Sequence, residues 1–156
     1  MALVLLFWSW DAISFINRPK EYAVVRVIDG DGAIVLSRNN KKSEIRLADI
    51  DAPEIGQQYG QFSKRTLQTL IHQKIVTLKH TGKRTYDRDV VRLYLKGQDI
   101  NKRMVSVGAA WVEPRFARDK SYYEAEEKAR KQGMGLWHKK NPMPPWVWRR
   151  LFKGYK

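Results

Sequence analysis

The chain predicts an α+β fold in which five short strands close into a small barrel and about three helices pack on it. Three observations lead there. β-Branched runs separated by tight polar turns fill the first third of the chain after its apolar start. Helical periodicities then interleave with further strand-like runs. Finally, 156 residues, 43% of them hydrophobic, supply one modest core rather than two.

Tyr22 to Ile28 (YAVVRVI) reads as a strand that stops at Asp29-Gly30-Asp31-Gly32, and Ala33 to Ser37 resumes beyond that turn, giving a hairpin. A second polar turn, Arg38 to Lys42, leads into Ser43 to Leu47, whose alternation buries one face and presents Arg46 at a strand end. Pro53 stops the sheet. Tyr59 to His72 places Phe62, Thr66, Leu67, Leu70 and Ile71 at helical spacing. Lys74 to His80 and Asp89 to Leu95 read as strands joined by a charged loop, Thr81 to Arg88. Asp99 caps a short helix to Val107, Ala109 to Val112 is a short further segment that can return to the sheet, and Lys120 to Gln132 is a charged helix ended by Gly133 and Gly135. Five strands, the first three a meander, with three interleaved helices fit a closed barrel of the oligonucleotide-binding kind, an OB-fold. Met104 reads as core.

Three segments follow: an apolar start at 1–20, the barrel domain at 21–138 and a basic aromatic tail at 139–156. The run Met1 to Trp10 (MALVLLFWSW) is about half the roughly 20 residues that cross a bilayer. It lacks a clear basic n-region and cleavage site. An export-signal remnant, an interfacial anchor and a core-packing arm are all compatible with it. Exposed tryptophans are otherwise a liability, which favours secretion or membrane association over a cytoplasmic location. The tail, KKNPMPPWVWRRLFKGYK, lacks periodicity and reads as a loosely packed terminus, a base-stacking surface or a membrane contact.

Thirty Lys and Arg against 16 Asp and Glu give a formal charge of +14, a field that concentrates a polyanion such as DNA, RNA or an anionic membrane. Cysteine is absent, which excludes disulfides and thiolate chemistry. His72, His80 and His138 are too scattered for an imidazole zinc site. Oxygen donors are left as the metal ligands this chain can offer.

Those donors are grouped. Asp29-Gly30-Asp31-Gly32 is by itself an ordinary turn. Asp49-Ile50-Asp51 puts two carboxylates on one side if the strand continues, and Pro53-Glu54 turns the chain so that Glu54 approaches Asp51. If the loops converge, Asp31, Asp51 and Glu54 form a hard-oxygen cluster suited equally to calcium or magnesium. In a basic chain such a cluster needs nearby cations, which Arg46 and Arg88 provide. A metal and two guanidiniums would neutralise charge at a pentacovalent phosphorus while one carboxylate directs the attacking water. As plain structure, Arg46 would pair with Glu44 or Asp49, and Arg88 with Asp87 or Asp89.

The order Asp-Gly-Asp, then Arg46-Leu47-Ala48-Asp49-Ile50-Asp51-Ala52-Pro53-Glu54, then Tyr86-Asp87-Arg88, then Gly133 to Trp137 resembles the staphylococcal (micrococcal) nuclease family over about Tyr22 to His138. The resemblance implies a five-stranded OB barrel with three helices and calcium-dependent hydrolysis of DNA and RNA to products with 3′-phosphates. It implies calcium on Asp31, Asp51 and the Ala52 carbonyl, Glu54 as the residue that positions or deprotonates water, Arg46 as phosphate clamp and Arg88 as transition-state stabiliser. Asp49 corresponds to a supporting carboxylate and Tyr86 lies beside the active arginine. Ala52 stands where the best-known members have threonine, and Asp87 stands where Tyr-Gly-Arg is usual. Trp111, Arg115 and Phe116 occupy the region where members present tyrosines to nucleotide, so stacking is expected to survive better than a hydroxyl contact. Trp111, Phe116 and Trp137 could equally fill gaps between barrel and helices. The competing expectation is a barrel that binds nucleic acid without turnover.

Overall fold

The computed structural model describes residues 20–152. The apolar start and its export or membrane reading therefore lie almost wholly outside the described residues. Among those residues, no helix is long and apolar enough to cross a membrane.

The elements run β1 (Glu21–Val27), β2 (Gly32–Ser37), β3 (Lys42–Leu47), β4 (Ile50–Asp51), α1 (Gly60–Ile71), β5 (Ile75–Thr85), β6 (Arg88–Leu95), β7 (Gln98–Asp99), α2 (Ile100–Ser106), β8 (Trp111–Val112), α3 (Lys120–Lys131), a 3-10 turn (Gly135–His138) and α4 (Pro145–Leu151). Strands β1, β2 and β3 form the expected meander, β1 also pairs with β5, and β5 with β6. A parallel pairing of β3 with β6 closes the ring into a five-stranded barrel. Closure removes the two edges an open sheet would expose.

Alternation along these strands sends Val24, Val35, Ile45, Leu47, Val91 and Leu93 inward, where all are essentially inaccessible. Leu67 and Ile71 of α1 and Ile100, Met104 and Val105 of α2 cap that core. A second cluster, Trp111, Ala129, Leu136 and Trp137, packs under α3 with Trp146 against it.

Four expectations need correction. β5 extends through Thr85, so most of the expected charged loop is an exposed two-stranded ribbon that needs no apolar face. β8 pairs with β4 in a separate small sheet rather than joining the barrel. Asp49 has φ of 65°, so the strand does not continue through it and its carboxylate does not share a side with Asp51. The tail contains a helix, α4, which raises the helix count to four. Pro145 at its first turn is preset in φ and lacks an N–H that would go unbonded there anyway.

Candidate active site

The barrel register brings the two expected arginines to one wall. Arg46 on β3 lies opposite Val90 on β6, and Arg88 is two residues before Val90, so both side chains leave the same outer face of the sheet. Asp31 sits at the end of the β1–β2 turn, where Asp29 Oδ1 accepts a hydrogen bond from the Asp31 N–H at 3.1 Å. Gly32 pairs with Arg46 across β2 and β3, which sets Asp31 beside the guanidinium. Glycine is needed at position 30, because a Cβ there would overlap Ser63 of α1 and the Ala52 side chain. The turn thereby packs directly onto the chain that carries Asp51 to Glu54.

The loops converge. Arg46 donates from Nη1 to Asp31 Oδ1 at 2.8 Å and from Nη2 to Asp51 Oδ1 at 2.9 Å, and the Ala52 N–H donates to Asp31 Oδ2 at 2.9 Å. Asp31 and Asp51 are both buried. Burial pushes the Asp31 carboxyl up to about 7 despite the pull of Arg46, with Asp29 and Asp51 adding to the rise. Burial lowers the affinity of Arg46 for its proton, but Asp31 and Asp51 outweigh it and hold the guanidinium firmly charged. The buried pair Asp31 and Asp51 therefore offers more negative charge than Arg46 alone satisfies.

A residue that the sequence reading missed supplies part of the difference. Arg149 of α4 donates from Nη2 to Asp51 Oδ2 at 2.6 Å, and from Nη1 to Asp51 Oδ1 at 3.1 Å and to Glu54 Oε1 at 2.9 Å. The hydrogen bonds to Asp51 hold its guanidinium above the ordinary arginine range. Asp31, Asp51 and Glu54 are thus linked through guanidiniums. Among the described residues no three His, Asp or Glu side chains gather around one point as metal ligands.

The remaining expected residues occupy the rim or lie elsewhere. Arg88 makes one long contact, Nε to Glu44 Oε1 at 3.7 Å, rather than pairing with Asp87 or Asp89. Asp49 pairs with Arg92 at 2.7 Å, so it braces β6 rather than Arg46. Tyr86 is 91% exposed on the hairpin turn. Phe116 is half exposed, with Lys83 Nζ 5.1 Å from its ring centre. Arg115 grips buried Glu113 through two hydrogen bonds at 2.9 Å. Trp111 is buried edge-on against Trp137, 4.3 Å between ring centres, which leaves it with the packing role rather than an open stacking face.

A cleft of about 740 Å³ is lined by Asp31, Ala52 and Glu54 together with Arg46, Arg88, Arg149, Lys83, Arg84, Tyr86 and Phe116. Asp31 is buried, whereas the Glu54 side chain is more open than those of Arg46 and Arg88. Such a cleft can accept a phosphodiester with its charge on the guanidiniums and its bases on the rings, and it offers Glu54 as an acceptor for a proton from an attacking water.

A family model described as "Staphylococcal nuclease homologue" matches residues 44–139. A protein of Haemophilus influenzae described as "Uncharacterized endonuclease" is 41% identical over 97% of this chain and 84% of its own length. One of Escherichia coli O157:H7 with the same description is 37% identical over 94% of each chain. A "Micrococcal nuclease" of Shigella flexneri is 37% identical over 83% of this chain and 80% of its own.

Proposed function

The chain belongs to the staphylococcal nuclease homologues, and from that membership we propose that it is a calcium-dependent phosphodiesterase acting on DNA, RNA or both and leaving 3′-phosphates. The observation that carries the reading is the convergence of Asp31, Glu54, Arg46 and Arg88 on one cleft, with buried Asp51 hydrogen-bonded to the same Arg46.

The donor set fits a hard divalent cation. Asp31, Asp51 and the Ala52 carbonyl offer only oxygen, and burial leaves Asp31 short of positive charge. These three would hold calcium, which when bound polarises the phosphoryl group and offsets its developing charge.

The rest is done by the chain's own residues. Glu54, partly exposed to the cleft, takes a proton from water as the water oxygen bonds to phosphorus. The phosphorus–5′-oxygen bond breaks, the 5′-oxygen is protonated from solvent, and the phosphate stays on the 3′ side. Arg46 spends two N–H groups on Asp31 and Asp51, so three of its five donors are left for phosphate oxygen. Arg88 has an open fork for the equatorial oxygens. It acts as an electrostatic stabiliser, because a guanidinium is a poor acid. Lys83 and Phe116 with Tyr86 take the backbone and bases of the strand leading into the cleft. Export or membrane attachment through residues 1–20 remains the localisation we propose, on the apolar run already described.

The test is hydrolysis of single-stranded DNA, duplex DNA and RNA by the purified chain with calcium, magnesium or EDTA, with Glu54→Gln alongside. Calcium-dependent cleavage that disappears in the variant, with ends that phosphatase converts to 3′-hydroxyls, is the expected result. Binding without cleavage would instead make the chain a nucleic-acid-binding barrel.

A further inference from the structure

α4 lies beyond the matched family segment, yet it reaches the centre of the cleft. We infer that Arg149 is a positioning residue of the site, holding Glu54 beside Asp51 at a cost in metal affinity. The inference rests on the nuclease reading above.

α4 has contacts besides the charge it delivers. Trp146 packs edge-on against Trp111 with 5.7 Å between ring centres, and Trp111 is the strand partner of Asp51. Just before the helix, the Met143 carbonyl accepts from Gln57 Nε2 at 2.7 Å, while Gln57 Oε1 accepts from the Glu54 N–H at 3.2 Å. The tail therefore grips the Pro53 to Gln57 turn through the backbone and anchors to the neighbouring strand through a tryptophan. Arg149 arrives as a third contact on the same turn.

Its guanidinium does two things there. Glu54 has a side chain 42% exposed, and Arg149 is its one side-chain partner among the described residues. Sharing a nitrogen between Glu54 and buried Asp51 fixes a carboxylate that would otherwise change rotamer in the cleft. The same nitrogens, however, stand on both oxygens of Asp51, the atoms a divalent cation would take, and place a positive charge beside it. Precision at Glu54 and affinity at Asp51 are set against each other.

The experiment compares wild type, Arg149→Ala and Arg149→Lys as full chains. Calcium affinity is measured by calorimetry, kcat and KM on single-stranded DNA at saturating calcium, and folding by thermal melting. For Arg149→Ala we expect kcat to fall about tenfold or more, KM to move less, and calcium to bind about threefold tighter or better. Lysine keeps the charge but not the fork, so it restores part of kcat. A merely structural helix would lower kcat, calcium affinity and melting temperature together, and that pattern would overturn the inference, as would an unchanged kcat. Absence of cleavage by wild type would remove the nuclease reading and this inference with it, whereas wild-type cleavage with unaltered Arg149→Ala turnover would remove the inference alone.

Discussion

Two polar networks lie in the interior of this protein, and they are built on opposite plans. At one end of the barrel, buried Asn101 donates from Nδ2 to the Ala48 and Val91 carbonyls and accepts from the Leu93 N–H, all at 3.0 Å. Beside it the Tyr122 hydroxyl donates to Asp99, which also caps α2 by accepting from the Lys102 N–H. Burial and the Asp99 charge push the Tyr122 phenol well above its usual range. Around the cleft, by contrast, Asp31, Asp51, Arg46 and Arg149 are ionisable side chains from one turn, two strands and a helix, satisfied mainly by one another. An uncharged amide tied to backbone has nothing to exchange. A charged cluster opening on a cleft can trade its internal partners for a cation and a phosphate, and this exchangeability separates a site from a staple.

The contrast can be broken most sharply from the cleft side. Glu54→Gln is expected to lower turnover by about 10²-fold or more while oligonucleotide binding and melting temperature stay near wild type, since the residue is at the surface of the cleft. Steady-state rates beside a binding isotherm decide it. Stability lost in step with activity would make Glu54 a staple.

Asn101→Leu should do the reverse. It removes the Asn101 partner of the buried Leu93 N–H and Ala48 carbonyl, while the Val91 carbonyl keeps the Ala48 N–H, and should cost about 2–5 kcal/mol in urea unfolding, with activity per folded molecule preserved. A selective loss of turnover at unchanged stability would contradict that division.

Asp31→Asn sharpens the comparison through pH. In the folded protein burial raises the Asp31 carboxyl from 3.8 to about 7. As pH rises from about 4, the unfolded chain releases this proton first, so the folded state loses stability across the interval to about 7 and the penalty stays constant above it. The asparagine variant should therefore melt higher than wild type at pH 8 and show no such advantage at pH 4, with calcium erasing the difference by stabilising wild type. Parallel melting curves at both pH values would refute the raised carboxyl. The smallest effect is expected at the rim, where Phe116→Ala should raise KM for single-stranded DNA about fivefold with little change in kcat.

Much of this was legible because local chemistry and global fold agree. The meander followed from β-branched alternation and the Asp-Gly turns, and α1, α2 and α3 from their periodicity and caps. Arg46, Asp51 and Glu54 were found together because they are close in sequence around one turn. Contacts between distant segments were not legible. The parallel closure of β3 on β6 and the β4–β8 pairing leave no mark on either strand alone. Asp49 in the left-handed region defeated an argument from strand parity. Arg149 meets Asp51 across 98 positions, and α4 is a short helix anchored chiefly by one tryptophan, so it has no apolar stripe to read. The Pro-Pro pair at its start was the available signal.

Calorimetric titration of calcium into the full chain, wild type against Asp51→Asn, tests most directly whether the buried acids beside the cleft form a cation site. The account predicts saturable binding by wild type that is lost or weakened by an order of magnitude in the variant, with both proteins folded. Equal calcium binding by the two, or none by either, would contradict it and leave the buried acids as a second staple held by arginines.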